Sequence, residues 1–147
     1  MQSGDPLRGA TAAYQRGALR LFRGDYVGVL RIMERAHSQI AQERSPTADS
    51  VRAQLHLRQA IAHARSGTTD RADEHITAAR ELVARRIPAN PYYDVIATET
   101  NVTMHWVAVP VELSDGTTAV ARAGQVQNPE RDEPSRAGRY WIDVSRA

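Results

Sequence analysis

The sequence predicts an all-α chain of antiparallel helix hairpins, and three observations lead there. Between regularly placed breakers, apolar residues recur at three- and four-residue steps, while runs of alternating hydrophobicity are scarce. Alanine is abundant and aromatic residues make up only 5%, which suits closely packed helices better than sheets. A length of 147 residues is enough for one domain with a real core.

Asp5 and Pro6 open the first helix, one as N-cap and the other at the first helical position, where its missing N–H costs nothing. Ala10, Ala13, Tyr14, Ala18, Leu21 and Phe22 follow at helical spacing, and Gly24 stops the helix after Arg23. Asp25 then caps a second helix striped by Val29, Ile32, Met33, Ala36 and Ile40. After Ser45-Pro46, a third helix carries Leu55, Leu57, Ala60, Ile61 and Ala64 as far as Gly67, and a fourth carries Ala72, Ile76, Ala79, Leu82 and Val83. Asn90-Pro91 is expected to open a long fifth helix through Ile96, Met104, Trp106, Val107 and Val111, bent or broken at Pro110. Ser114-Asp115-Gly116 separates it from a sixth with Ala119, Ala123 and Val126, and a last helix from about Ser135 bears Tyr140, Trp141, Ile142 and Val144. Residues 1–147 thus read as a single helical-repeat domain, with repeats over about 5–44, 46–86 and 91–127 and a half repeat over 135–147.

Composition removes several classes of function. All 19 basic residues are arginine and the formal charge is only +2, so a pI near 9.4 reflects arginine's high pKa and not a nucleic-acid-binding stripe. The absence of cysteine excludes disulfides, thiolate metal sites and cysteine nucleophiles, and fits a cytoplasmic protein. No apolar stretch approaches membrane-spanning length, so no membrane association is expected.

Aligned on their turns, the hairpins repeat. Gly24-Asp25-Tyr26-Val27-Gly28-Val29 matches Gly67-Thr68-Thr69-Asp70-Arg71-Ala72 and, more weakly, Ser114-Asp115-Gly116-Thr117-Thr118-Ala119, with Ala36, Ala79 and Val126 following at helical spacing. The pattern resembles the tetratricopeptide repeat, which implies a short right-handed solenoid of antiparallel helix pairs. Gly17 and Ala60 fall where that motif takes a small residue, and Trp141, Val144 and Ala147 match its opening tryptophan, leucine and alanine. The turns recur at roughly 43 to 47 residues against about 34 in the standard motif, the excess lying in the links around Pro46 and Pro88.

Three further runs, Leu21 to Tyr26, Val109 to Gly116 and Arg139 to Ala147, resemble the C-terminal repeats of actinobacterial Xre-type helix-turn-helix transcriptional regulators. That resemblance implies the ligand-sensing or assembly part of such a regulator, or a relative of one. No segment reads as the DNA-binding domain, so sequence-specific DNA recognition by this chain alone is not expected. The partner would be a peptide, a protein or a small molecule, with a homodimer as a further expectation.

Carrying the repeat's groove-facing positions onto this chain implies a binding surface of Tyr14, Ala18, Leu21 and Phe22, then Gln54, Leu57, Ile61 and Arg65, then Asn101, Met104, Ala108 and Glu112, with Arg139, Ile142 and Arg146 at the end. Arginines there can hold a carboxylate or phosphate in bidentate fashion. In the last helix Tyr140, Trp141, Ile142 and Val144 cover more than half the circumference and cannot all be buried on one neighbour. The motif turns Trp141 and Val144 to the third hairpin and leaves Tyr140 for a second copy or a ligand, and Tyr140 and Trp141 are the interface residues on which self-association is expected to depend. An oligomeric scaffold is one alternative function. The other is a small natural-product enzyme on a repurposed repeat fold, with His56, His63, His105, Glu112 and Tyr140 as its candidate groups. No nucleophile elbow, phosphate loop or dinucleotide fingerprint occurs, and the histidines lack zinc-helix spacing, so no cofactor and no metal are assigned and binding is favoured over catalysis. Asp70, Asp73 and Glu74 read as first-turn charges that favour a helix N-terminus, and Arg85-Arg86 as cations at a helix end.

Overall fold

The computed structural model describes residues 4–85, 97–126 and 134–147, with backbone alone over 134–139. Those residues form helices and no strands: α1 (Pro6–Phe22), α2 (Tyr26–Gln39), α3 (Pro46–Arg65), α4 (Thr69–Val83), α5 (Glu99–Glu112), α6 (Gly116–Ala123) and α7 (Pro134–Arg146). No helix among them is long and apolar enough to cross a membrane.

The three tight turns share one chemistry. Gly24 and Gly67 take left-handed backbone with φ of +75° and +80°, and Ser114 takes the same region at 59°. In each turn the amide of the next residue donates back to a carbonyl five residues earlier: Asp25 to Arg20, Thr68 to His63 and Asp115 to Pro110. Carbonyls left over at the helix end are thereby satisfied, and the chain reverses within three residues. The helix starts are equally local. Asp5, Asp25, Ser45, Thr98 and Asp115 each accept a backbone N–H of the first turn on a side-chain oxygen. Where α2 ends, the Arg52 guanidinium from α3 takes the carbonyls of Ile40 and Glu43.

Each odd-numbered helix packs against its hairpin partner and against the next odd-numbered helix, so α1 meets α2 and α3, α3 meets α4 and α5, and α5 meets α6 and α7. The core follows as three successive clusters. Leu7, Leu21, Val29, Met33, Ile40, Val51 and Leu55 fill the first, Leu57, Ile76, Leu82, Val102 and Val109 the second, and Met104, Val107 and Tyr140 the third. Small residues permit the close approaches: a Cβ on Gly17 would meet the Met33 methyl at 2.8 Å.

Two expectations change. The helix bearing Met104 starts at Glu99 behind the Thr98 cap, and Ala97 and Thr98 are not helical, so it does not run unbroken from Asn90-Pro91; that dipeptide and Ile96 lie outside the described residues. In α7 the buried and exposed aromatics are exchanged. Tyr140 is 4% exposed and packs with Met104 and Val107, whereas Trp141 is 51% and Ile142 54% exposed. The stripe that meets the third hairpin is Tyr140, Asp143 and Val144, with Tyr140 and Asp143 buried and Val144 half-buried, so Val144 faces the hairpin as the repeat motif implies while Tyr140 takes the place of Trp141.

Pro110 lies inside α5 and cannot donate to the carbonyl four residues earlier, that of Trp106. Arg122 of α6 supplies the missing donor at 2.8 Å. The same guanidinium lies 4.9 Å from the Trp106 ring centroid and meets the Asp73 carboxylate of α4 at 3.3 Å. One arginine therefore ties α4, α5 and α6 together, and Asp73 serves as its partner and not as a helix-start charge alone.

The left-handed turn positions yield a paired test by chemical denaturation. Replacing Gly24 by Val should destabilise the chain by about 1 kcal/mol or more, because a β-branched residue is strained there. Replacing Ser114 by Gly should stabilise it by roughly 0.5 kcal/mol, since the serine already bears that strain. Equal and unchanged midpoints would contradict the turn geometry.

Candidate functional site

Helices α1, α3, α5 and α7 line an open-sided cavity of about 350 Å³. Its walls are Ala18, Leu21 and Phe22 of α1; Arg58, Ile61 and Arg65 of α3; Asn101, Met104, His105, Ala108 and Glu112 of α5; and Tyr140 and Asp143 of α7. The spacing of these residues explains the convergence. Positions 58, 61 and 65 lie on one face of α3, and 101, 104, 105, 108 and 112 on one face of α5. Phe22 stands at the rim, 88% exposed.

The polar groups are mostly engaged by the scaffold. Arg65 donates to Glu112 Oε1 at 2.9 Å, a pair that ties α3 to α5 and holds the guanidinium's pKa above its ordinary value. His105 donates from Nδ1 to the Asn101 carbonyl at 2.8 Å, because a carbonyl can only accept. The Tyr140 hydroxyl lies 3.4 Å from the Ala123 carbonyl, and burial pushes its pKa up. Asp143 is buried, with the Arg146 guanidinium 3.7 Å away. Arg58 differs: its guanidinium carbon lies 4.2 Å over the Tyr14 ring. Among the described residues no acceptor meets its Nε, which is buried.

Of the groove positions carried over from the repeat, Phe22, Arg65, Asn101, Met104 and Glu112 line this cavity, together with Ala18, Leu21, Ile61 and Ala108. Gln54 and Leu57 do not. Both are fully buried between helices, and among the described residues neither amide atom of Gln54 finds a hydrogen-bond partner. The face of α3 turned to the cavity continues from Arg58 and not from Leu57, because the apolar Leu57 enters the second core cluster. Tyr14 lies beneath Arg58 and does not line the wall. Ile142 and Arg146 point outward, and the side chain of Arg139 lies outside the described residues. The motif missed Arg58, His105 and Asp143; the charge of Arg58 one residue beyond an apolar neighbour, and the three-residue step from Tyr140 to Asp143, were the available signals.

The candidate enzymatic groups divide. His105, Glu112 and Tyr140 share the cavity, but His56 and His63 sit two residues before Arg58 and Arg65, roughly 160° around α3. There they join a row of imidazoles. Ring centroids lie 4.4 Å apart for His37 and His56, 5.2 Å for His56 and His75, and 5.3 Å for His63 and His75. His56 Nδ1 and His75 Nδ1 are 2.9 Å apart, so one must donate and the other accept, and the two cannot both be protonated in this geometry. Burial first, then the neighbouring imidazoles, lowers His56 to about 3 and His75 to about 4, and burial also lowers His37 and His63. Among the described residues no group of three or more His, Asp or Glu is arranged to hold a metal ion.

This row predicts acid sensitivity with a definite sign. The unfolded chain binds protons at its histidines near pH 6.5, whereas folded His56 and His75 resist them down to about 3 and 4. Stability is therefore complete above pH 6.5 and is lost as pH falls from there toward 4. Melting temperatures across that range should fall less steeply in His56→Phe than in the parent chain; parallel curves would contradict the assignment.

No family model, curated protein or solved structure matches this chain.

Proposed function

We propose that the chain is a ligand-binding helical-repeat module whose site is the cavity between α1, α3, α5 and α7. The observation that carries this reading is the lining itself, drawn from four helices, in which apolar side chains are mixed with convergent polar and charged groups, at the small end of the volume range of small-molecule sites. The polar groups support binding over turnover: Glu112, His105 and Tyr140 are each engaged with Arg65, the Asn101 carbonyl or the Ala123 carbonyl. Three like turns at Gly24, Gly67 and Ser114, and the succession of packed odd-numbered helices, favour a tetratricopeptide-like solenoid. On the sequence resemblance, the module is the sensor part of a bacterial regulator or a relative of one. The lack of cysteine favours a cytoplasmic setting.

Ala108 is the point at which to fill the cavity. Titration with anilinonaphthalene sulfonate, a fluorescent apolar anion, should show a single site in the parent chain. In Ala108→Phe that site should be lost while the helical circular dichroism persists. Undiminished binding by a folded variant would place the site elsewhere.

A second reading, assembly, is favoured by the adjacent exposure of Trp141 and Ile142 on the outer face of α7. Here the interface pair is Trp141 and Ile142, since Tyr140 is turned into the third core cluster. Sedimentation should then show a dimer that dissociates when Trp141 and Ile142 are both replaced by Ser. A parent chain that sediments as a monomer would rule the reading out.

A further inference from the structure

Arg58 is the one cavity-lining cation for which the described residues supply no anion. Arg65 is matched by Glu112 at 2.9 Å. Arg58 has the Tyr14 ring beneath it and a buried Nε with no acceptor. That Nε is closed to solvent, so an anion in the cavity would be met by the terminal nitrogens of the guanidinium. The side chain is also held in place before any ligand is present. Tyr14 supports the guanidinium, and the Arg58 stem lies beside Gly17 of α1. An arginine fixed in this way loses little freedom when it binds a carboxylate.

The rest of the wall restricts what the anion can be. Glu112 and Asp143 bring two carboxylates to the same cavity, with Arg65 matching the first and Arg146 standing 3.7 Å from the second. Among the described residues, counting Arg146 with Asp143, the surplus is a single positive charge, so a second negative charge on the ligand would be brought toward Asp143. Beside the charged groups the lining mixes the apolar Leu21, Phe22, Ile61 and Met104 with Asn101, His105 and Tyr140, which are engaged within the fold. The volume of about 350 Å³ suits a compact small molecule and not an extended peptide.

We propose that Arg58 is the anion-binding post of this groove and that the groove takes a small apolar monocarboxylate, its carboxylate on Arg58 and its body over Phe22, Ile61 and Met104. The inference rests on the cavity being the binding site, and the test separates the two. Calorimetric titration of the full chain at neutral pH uses three probes of equal chain length: octanoate, octanamide and octyl phosphate. Octanoate should bind more tightly than octanamide by roughly tenfold or more, as a charge-assisted pair requires, and more tightly than octyl phosphate. In Arg58→Gln, octanoate should fall to the level of octanamide, while Arg58→Lys should keep a preference for the acid. Equal binding of octanoate and octanamide by the parent chain overturns the role of Arg58 and leaves the groove as the site. Tighter binding of octyl phosphate overturns the monoanion rule. Binding of none of the three overturns the groove reading and this inference together. Circular dichroism establishes that each variant folds; should Arg58→Gln not fold, loss of the preference in a folded Arg58→Lys, or its absence in the parent chain, overturns the proposal.

Discussion

The structure depends on α3 being buried on nearly every side. Ala48, Val51, Leu55 and Ala62 of this helix enter the first core cluster, while Ala53, Leu57, Ala60 and Ala64 enter the second. A helix with apolar residues all round cannot stand at a surface, so α1, α2, α4 and α5 are each drawn against it. The alanines decide how close they come. With short side chains the neighbouring backbones approach α3 closely, and what remains of its surface is the face carrying Arg58, Ile61 and Arg65 and the opposite one carrying His56 and His63. Both polar assemblies of the molecule, the groove and the imidazole row, are therefore placed by the packing of one helix.

Further along the chain, aliphatic packing is thinner and polar contacts contribute more. The third cluster holds Met104, Val107 and Tyr140 as its buried members. Pro110 would leave the Trp106 carbonyl without a donor in an ordinary helix, and Arg122 meets that need while reaching Asp73. Arg80 also approaches this indole, with its guanidinium carbon 5.3 Å from the ring centroid. The short α6 is thus anchored by an arginine as much as by its buried Ala119.

What was legible in the sequence is what local chemistry governs. Gly24, Gly67 and the Asp and Ser caps mark their turns and helix starts without knowledge of the neighbours, and the apolar stripes of α1 to α4 follow from spacing. Part of the cavity wall was legible through the repeat resemblance, since Phe22, Arg65, Asn101, Met104 and Glu112, all carried over from that motif, line it. The failures lie where two phases compete. On α3, positions 57 and 58 are both compatible with a stripe through 54 and 61, and the choice is made by the second core cluster, which takes Leu57. On α7, Tyr140 and Trp141 are both large and amphipathic, and the tie is broken by Met104 and Val107, some 35 residues away, which accept the phenol ring. Nothing in the spacing of His37, His56, His63 and His75 announces that three helices would set them in one row.

The position of α7 gives the cavity a property that a groove cut into a single rigid block would lack. This helix packs only against α5 and α6 among the described elements, yet Tyr140 and Asp143 form part of the cavity wall. An element packed on one side, with few neighbours, is the kind that opens at low free energy. Occupancy of the cavity and docking of α7 are then linked by thermodynamic reciprocity: whatever molecule touches both walls tightens the helix onto the hairpin, and whatever loosens the helix weakens the molecule's hold. The outer face with Trp141 and Ile142 moves with it, so that an event inside the cavity has an outward counterpart about a helix diameter away, roughly 10 Å, with no other part of the chain required to rearrange.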